Sequence, residues 1–263
     1  MLPVFRYEIE RRIRGLAVMA VLLAGFALMM LAFFPSIRES GAALEEYAQN
    51  MPPALREMFG VEAITSIGGF LSTELYQFVW VLLLGIYVAY RAASLIAGDV
   101  ETHRLDLVLA TPVSRTRVLL ERYAVLVPVA IVLNVVVLPV VYVGTVWVGE
   151  PIAVERLLAV HVLSIPYLLA CAAIGLVLTV LTAAESLANR AAIGLVFGLF
   201  LLESLAATAG YDWLGYASPT RYFDPTAILV RGEFDLVGGA ILLLATAALL
   251  VVARTVFVRA DVT

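Results

Sequence analysis

Long apolar runs dominate the chain, and shorter polar segments separate them. A helix that crosses the ~30 Å hydrocarbon core of a bilayer needs ~20 mostly apolar residues. Six runs reach that length, at roughly 15–34, 75–97, 123–148, 157–181, 191–209 and 236–258. We therefore predict an all-α integral membrane protein in which residues 1–263 form a single transmembrane domain with six transmembrane helices.

The composition supports a lipid environment. Hydrophobic residues make up 63% of the chain and charged residues 14%, against about 25% charged in an average soluble domain. A soluble core of this length cannot enclose that much apolar surface. The net charge of −4 and the lack of a basic arm argue against nucleic acid as a partner and leave the lipid bilayer as the expected one.

All 17 basic residues are arginine, and their distribution predicts the orientation. Basic residues are enriched on the cytoplasmic side of membrane proteins. In the six-span arrangement, one side carries Arg6, Arg11, Arg12, Arg14, Arg91, Arg104, Arg115, Arg117, Arg122, Arg190, Arg254 and Arg259. The other side carries Arg38, Arg56, Arg156, Arg221 and Arg231. The richer side should be cytoplasmic, so we expect a multi-pass plasma-membrane protein with both termini in the cytoplasm.

Several absences limit the chemistry. The chain has no lysine, and a phosphate-binding P-loop needs one, so ATP hydrolysis by that route is not expected. Cys171 is the single cysteine, which allows no intrachain disulfide and predicts a small buried side chain. No cysteine or carboxylate cluster accompanies His161, so we expect no metal site and no bound cofactor. The arginine-only bias favours a prokaryotic source that is GC-rich or halophilic, such as a halophilic archaeon.

The polar segments predict further elements at both membrane surfaces. In residues 1–14, Phe5, Ile9 and Ile13 recur every four residues, which predicts an N-terminal interfacial helix. A plain extension of the first span is the alternative. The first extracellular segment, 35–74, should hold one or two short helices broken at Pro52 and Pro53.

The second extracellular segment, 210–235, is dense in Tyr, Trp and Phe. Such rings favour the membrane–water interface, and an aromatic belt is one interpretation. The other is a pair of short re-entrant helices that Pro219 and Pro225 interrupt, with Asp224 capping the second helix.

The central segment 98–122 is polar, although it lies between two apolar runs. Acidic residues precede an apolar pattern, so we predict a short amphipathic cytoplasmic helix that ends near Ala110, before Thr111 and Pro112. Ser114 can cap the lead-in to the third span. The exposed apolar cluster around Leu105 indicates that this helix docks on a partner protein. The alternative is a solvated loop without a partner.

Two polar residues inside predicted spans are candidates for a translocation pathway or a dimer seam. A charge at the bilayer centre costs ~2.5–3.5 kcal/mol on insertion scales, so Glu203 should face water or a partner. It could instead lie near the outer interface. Asn134 is the second candidate, and a hydrogen bond between helices is its alternative role.

Three stretches carry a resemblance to a known family. The sequence LIAGDVETHRLDLVLATPVSR resembles the cytoplasmic segment of ABC-2 type exporter permeases. Residues that match that pattern in kind are Gly98, Glu101, Leu105, Asp106, Leu107, Leu109, Thr111, Pro112, Val113, Ser114 and Arg115. Residues that depart from it are Val100, His103 and Arg104. ASPTRYFDPTAIL and PPALREMFG are similar to outer segments of the same permeases.

The resemblance implies a division of labour. Permeases of this family work in pairs, so a second copy or a paralogue is an expected partner, together with separate ABC ATPase subunits that bind ATP and Mg. The amphipathic segment would act as a coupling helix that docks the ATPase. The expected docking residues are Glu101, Arg104, Leu105, Asp106, Val108, Leu109, Pro112, Ser114 and Arg115.

Rival functions have weaker support in the residues. An ion-coupled secondary transporter favours several intramembrane ionisable residues and two related halves, whereas we find Glu203 alone and no repeat. An intramembrane serine protease needs a nucleophile in a suitable context, and Ser66, Ser72 and Ser94 lack it. A membrane assembly protein stays open.

Overall fold

The computed structural model describes residues 3–58, 63–98, 113–182 and 184–259. Within these ranges the ordered elements are helices, and six helical segments are long and apolar enough to cross a membrane. In chain order these first to sixth spans are Ile9–Glu39, Ile67–Ala93, Arg115–Trp147, Val154–Leu181, Glu185–Ala206 and Leu236–Arg259. The prediction of an all-α membrane protein with six spans is confirmed.

Several spans are composite. The second joins α-helix Ile67–Leu71, π-helix Ser72–Leu84 and α-helix Gly85–Ala93. The third joins Arg115–Ala124 and Leu126–Trp147. The helix of the fifth span extends over Glu185–Thr208. Shorter helices are Gly41–Asn50, Pro53–Met58, Asp212–Gly215, the 3₁₀ turn Pro219–Tyr222 and the π turn Ala227–Arg231.

The N-terminal segment differs from the sequence prediction. One uninterrupted helix covers Pro3–Glu39, so residues 3–14 extend the first span and do not form a separate interfacial helix. The reason is local: no proline and no glycine pair interrupts this stretch before Gly15, and a lone glycine is tolerated inside a helix. The helix also continues through Pro35, beyond the predicted end near residue 34.

The second span begins at Ile67, earlier than the predicted start near residue 75. Ser66 caps it, because its Oγ accepts a hydrogen bond from the Gly69 N–H at 3.0 Å. The hydroxyls of Ser72 and Thr73 donate to the Gly69 carbonyl at 2.8 and 3.1 Å, and both residues are buried. These polar side chains lower the hydropathy of the first turns, although the protein interior encloses them.

The fourth span is the centre of the bundle. It packs against the second, third, fifth and sixth spans, whereas the first span packs mainly on the third. In their most apolar stretches, 67% of the second and fourth spans is buried, against 22% of the first and fifth. Small residues permit the closest crossing: a Cβ on Gly175 would overlap the backbone carbonyl of Ala89 in the second span.

Turn residues set the helix boundaries in the two segments that we predicted to be extracellular. The helices Gly41–Asn50 and Pro53–Met58 are separated at Met51 and Pro52, next to the break predicted at Pro52 and Pro53. Asp224 Oδ1 accepts hydrogen bonds from the N–H groups of Thr226 and Ala227 at 2.8 and 3.0 Å, which confirms the predicted cap. Arg156 of the fourth span donates to the Leu229 carbonyl at 2.9 Å and holds this segment against the bundle.

Candidate functional site

The structure describes the two ends of the predicted docking segment. Among the predicted docking residues, Ser114 and Arg115 belong to the described part of the chain. The others lie outside it: Glu101, Arg104, Leu105, Asp106, Val108, Leu109 and Pro112. We call residues 94–98 the incoming junction and residues 114–122 the outgoing junction. Their contacts show how the segment is attached to the spans.

Thr179 of the fourth span holds the backbone of the incoming junction. Its Oγ1 accepts hydrogen bonds from the N–H groups of Ala97 at 2.9 Å and Ile96 at 3.4 Å. Ile96 and Ala97 are buried. Buried backbone groups beyond a helix end need such partners, so Thr179 fixes the chain where it leaves the second span.

Arg122 connects the two junctions. Its guanidinium is buried and donates through Nη1 to the carbonyl oxygen of Leu95. A buried cation is costly unless it is hydrogen-bonded, so this arginine favours the arrangement in which both junctions stay together. Ser94 adds a contact to the fifth span, because its Oγ donates to Asn189 Oδ1 at 3.0 Å.

The outgoing junction is capped and bonded to the first and sixth spans. Ser114 Oγ accepts from the Arg117 N–H at 3.3 Å, which confirms the predicted cap. The buried Glu121 carboxylate accepts from Arg117 Nε at 2.6 Å and from the Phe5 backbone N–H at 3.2 Å. Arg254 Nε of the sixth span donates to Thr116 Oγ1 at 3.2 Å.

The two junctions together therefore reach all six spans. The incoming junction follows the second span and is bonded to the third, fourth and fifth. The outgoing junction starts the third span and is bonded to the helix of the first and to the sixth.

Glu203 lies near the C-terminal end of the fifth span rather than at its centre. Its side chain is 23% exposed, and its Oε1 lies 3.9 Å from Arg221 Nη1, in the segment that follows this span. The Arg221 guanidinium also stacks 4.4 Å from the ring centroid of Tyr216. A location near a span end fits the alternative that the sequence left open, and both that alternative and the role in a pathway or dimer seam stay predictions.

Asn134 lies in the interior of the bundle, at the centre of a hydrogen-bonded network that joins three spans. Its Oδ1 accepts from His161 Nδ1 at 2.7 Å and from Ser164 Oγ at 2.9 Å. His161 Nε2 then accepts from the Tyr76 hydroxyl at 3.0 Å. Trp80 Nε1 donates to Ser164 Oγ at 3.2 Å. We call these five residues the buried polar network.

Sequence reasoning missed this network. Tyr76, Trp80, His161 and Ser164 were not among the predicted site residues, and all four are buried. A usable signal exists: His161 and Ser164 are three residues apart, so they share one face of the fourth span. A polar side chain within a span needs a partner, and Asn134 in the third span is the natural acceptor.

Within the described ranges, no group of three or more His, Cys, Asp or Glu side chains is arranged to hold a metal ion. Cys171 is buried in the fourth span, as predicted for a small apolar side chain.

Comparison with protein families decides the class. The model of the family described as ABC-2 family transporter protein matches residues 2–262, nearly the whole chain. The chain belongs to the ABC-2 transporter family. A search of curated proteins finds no match. The protein is therefore a multi-pass membrane component of an ABC transporter, and this permease component is not itself catalytic.

Family membership gives the junctions their context. The match includes both junctions and the segment between them, so the contacts of Arg122, Thr179 and Glu121 belong to an ABC-2 permease. An ABC-2 permease normally works with an ABC ATPase.

Proposed function

We propose that this ABC-2 permease forms the translocation pathway of an ATP-driven exporter as a dimer, with a second copy or a paralogue. Separate ATPase subunits bind ATP and Mg and dock on residues 98–122, on the cytoplasmic side. The observation that supports this best is the attachment of both junctions to the spans through Arg122, Thr179 and Glu121. The absence of lysine, and so of a P-loop, agrees with ATP hydrolysis on another subunit.

The junction bonds supply a route for the coupling. ATPase closure displaces the docked segment, and the segment pulls on the Ile96 and Ala97 backbone. Thr179 passes this motion to the fourth span, which packs on four of the other spans. Packed interfaces respond by changing between discrete arrangements, so a small displacement is sufficient to change access to the pathway.

Thr179→Val tests this route. Valine keeps the shape of the side chain and removes the acceptor for Ile96 and Ala97. Two lost hydrogen bonds are worth about 1–3 kcal/mol together, so coupling should fall roughly 5- to 150-fold. The measurement is ATP hydrolysis and transport by proteoliposomes that contain the permease and an ABC ATPase subunit that co-purifies with it. Docking of that ATPase should persist.

Thr145→Val is the matched control. Thr145 is also buried, and its Oγ1 donates within its own helix to the Tyr142 carbonyl at 2.9 Å. This variant should couple normally. The coupling route is wrong if both variants behave like the parent protein. The subunit assignment itself fails if the purified permease hydrolyses ATP after every other polypeptide has been removed.

A further inference from the structure

A cavity of about 430 Å³ lies at the arginine-rich end of the bundle. The first, second, third and fifth spans and the incoming junction line it. Its volume is within the ~300–1,000 Å³ of small-molecule sites. The cavity is separate from the buried polar network, whose five residues do not line it.

The cavity has a cationic rim. Arg11 and Arg12 of the first span and Arg91 of the second line it, against the single carboxylate of Glu185 among the described lining residues. Glu185 packs closely on Gly98, because a Cβ at position 98 would lie 2.6 Å from its Oε2. Three guanidinium groups and one carboxylate leave a net positive lining, and arginine recognises phosphate by paired hydrogen bonds.

The deeper wall of the cavity is apolar. Leu16 and Met19 of the first span line it together with Val129 and Leu133 of the third. From Arg11 to Met19 the helix rises about 12 Å, so the lining changes from charged to apolar along the direction of a lipid chain. The amphipathic rings of Tyr87 and Tyr90 also line it, and such rings favour the headgroup level.

We propose that this cavity binds a phosphate-bearing amphiphile, with its phosphate at Arg11, Arg12 and Arg91 and its acyl chain against the apolar wall. A free phosphate would use the rim alone and leave the apolar wall unused. A neutral lipid such as a diacylglycerol would bring no phosphate to the three arginines. Basic pockets between transmembrane helices are suited to anionic lipid headgroups, and the apolar wall here extends that chemistry to the chain.

Native mass spectrometry of the purified full-length permease tests the site with three probes. These are dioleoyl phosphatidylglycerol, dioleoylglycerol, which has the same chains but no phosphate, and inorganic phosphate. Phosphatidylglycerol should bind with the highest affinity. Arg91→Gln should weaken it roughly fivefold, because an arginine near an anionic headgroup is worth about 1 kcal/mol. Arg14→Gln is the matched control, since Arg14 is exposed on the first span and does not line the cavity.

A second pair of variants tests the apolar wall. Val129→Trp should fill the cavity and reduce phosphatidylglycerol binding at least tenfold, while Val132→Trp changes an exposed position on the same helix and should not. Equal binding of both lipids, or equal losses in Arg91→Gln and Arg14→Gln, would overturn the proposal. So would inorganic phosphate binding as tightly as phosphatidylglycerol. Only variants that elute from gel filtration like the parent protein are compared. If one of the two test variants, Arg91→Gln or Val129→Trp, misfolds, the other one still tests the site.

Discussion

At the scale of single residues, Asn134 carries more contacts than its place in an apolar run suggests. One carbonyl oxygen accepts from both His161 and Ser164, and its Nδ2 donates to the Ala130 carbonyl at 2.9 Å. Polar groups in the bilayer interior have no water as a hydrogen-bond partner, so they need partners within the protein. The amide therefore fixes the relative position of the third and fourth spans, and the Tyr76 hydroxyl on His161 extends that position to the second.

Asn134→Leu should therefore destabilise the bundle. The change leaves the His161 ring N–H without its acceptor and removes one acceptor of Ser164. A single side-chain hydrogen bond between membrane helices averages ~0.6 kcal/mol, whereas an unsatisfied buried donor costs about 1–3 kcal/mol. We expect a loss in the latter range. The measurement is the free energy of unfolding in mixed detergent micelles during SDS titration.

Val135→Leu is the control for this prediction. Val135 is the next residue on the same helix, and 64% of it is exposed. Its free energy of unfolding should match that of the parent protein. An Asn134→Leu variant as stable as this control would mean that the buried polar network contributes nothing measurable.

At the scale of helices, the crossing of the second and fourth spans depends on a missing side chain. Gly175→Ala would place a Cβ against the backbone carbonyl of Ala89, which has no rotamer to move away. Overpacking of this kind typically costs 1–3 kcal/mol, so thermal stability should fall. Gly25→Ala should leave stability unchanged or raise it, since a Cβ there meets nothing within 4 Å. Equal melting temperatures for the two variants would show that the second and fourth spans can move apart to accommodate the added Cβ without loss of stability.

The sequence predicts those helical elements whose cause is local, and it misses the boundaries that depend on packing between helices. Apolar runs identify six spans because crossing a bilayer demands length and hydropathy. Pro52, Pro53 and Asp224 mark breaks and caps because their local chemistry acts within a few residues. Ser72 and Thr73 delay the predicted start of the second span, because their burial depends on neighbouring helices that a local window does not contain.

In the candidate site, too, local contacts were predictable from the sequence and long-range contacts were not. Ser114 was predictable as a cap, since its partner is only three residues away. The bonds of Arg122 to Leu95 and of Thr179 to Ala97 join residues 27 and 82 positions apart. Nothing in the local pattern specifies them. The same holds for the cavity, whose arginines come from different spans.

At the scale of the whole molecule, the orientation in the membrane is testable with single cysteines. The arginine distribution predicts that position 104 faces the cytoplasm and that Ala153, between the third and fourth spans, faces outward. In a Cys171→Ala background, a membrane-impermeant maleimide should label Ala153→Cys in intact cells. Arg104→Cys should react only after the membrane is opened. Labelling of position 104 in intact cells would contradict the predicted orientation.

The last prediction concerns ATPase docking on residues 98–122. Leu105, Val108 and Leu109, outside the described residues, are expected to fill an apolar groove on the ATPase, with Asp106 at its rim. Burying a leucine is worth ~1.5–3 kcal/mol, so Leu105→Ala should weaken co-elution roughly 10- to 100-fold. Asp106→Asn should have a smaller effect that fades in high salt. Leu187→Ala, at an exposed leucine on the fifth span, is the control. Normal co-elution and stimulated ATP hydrolysis by a Leu105→Ala, Leu109→Ala double variant would reduce the segment to a solvated loop.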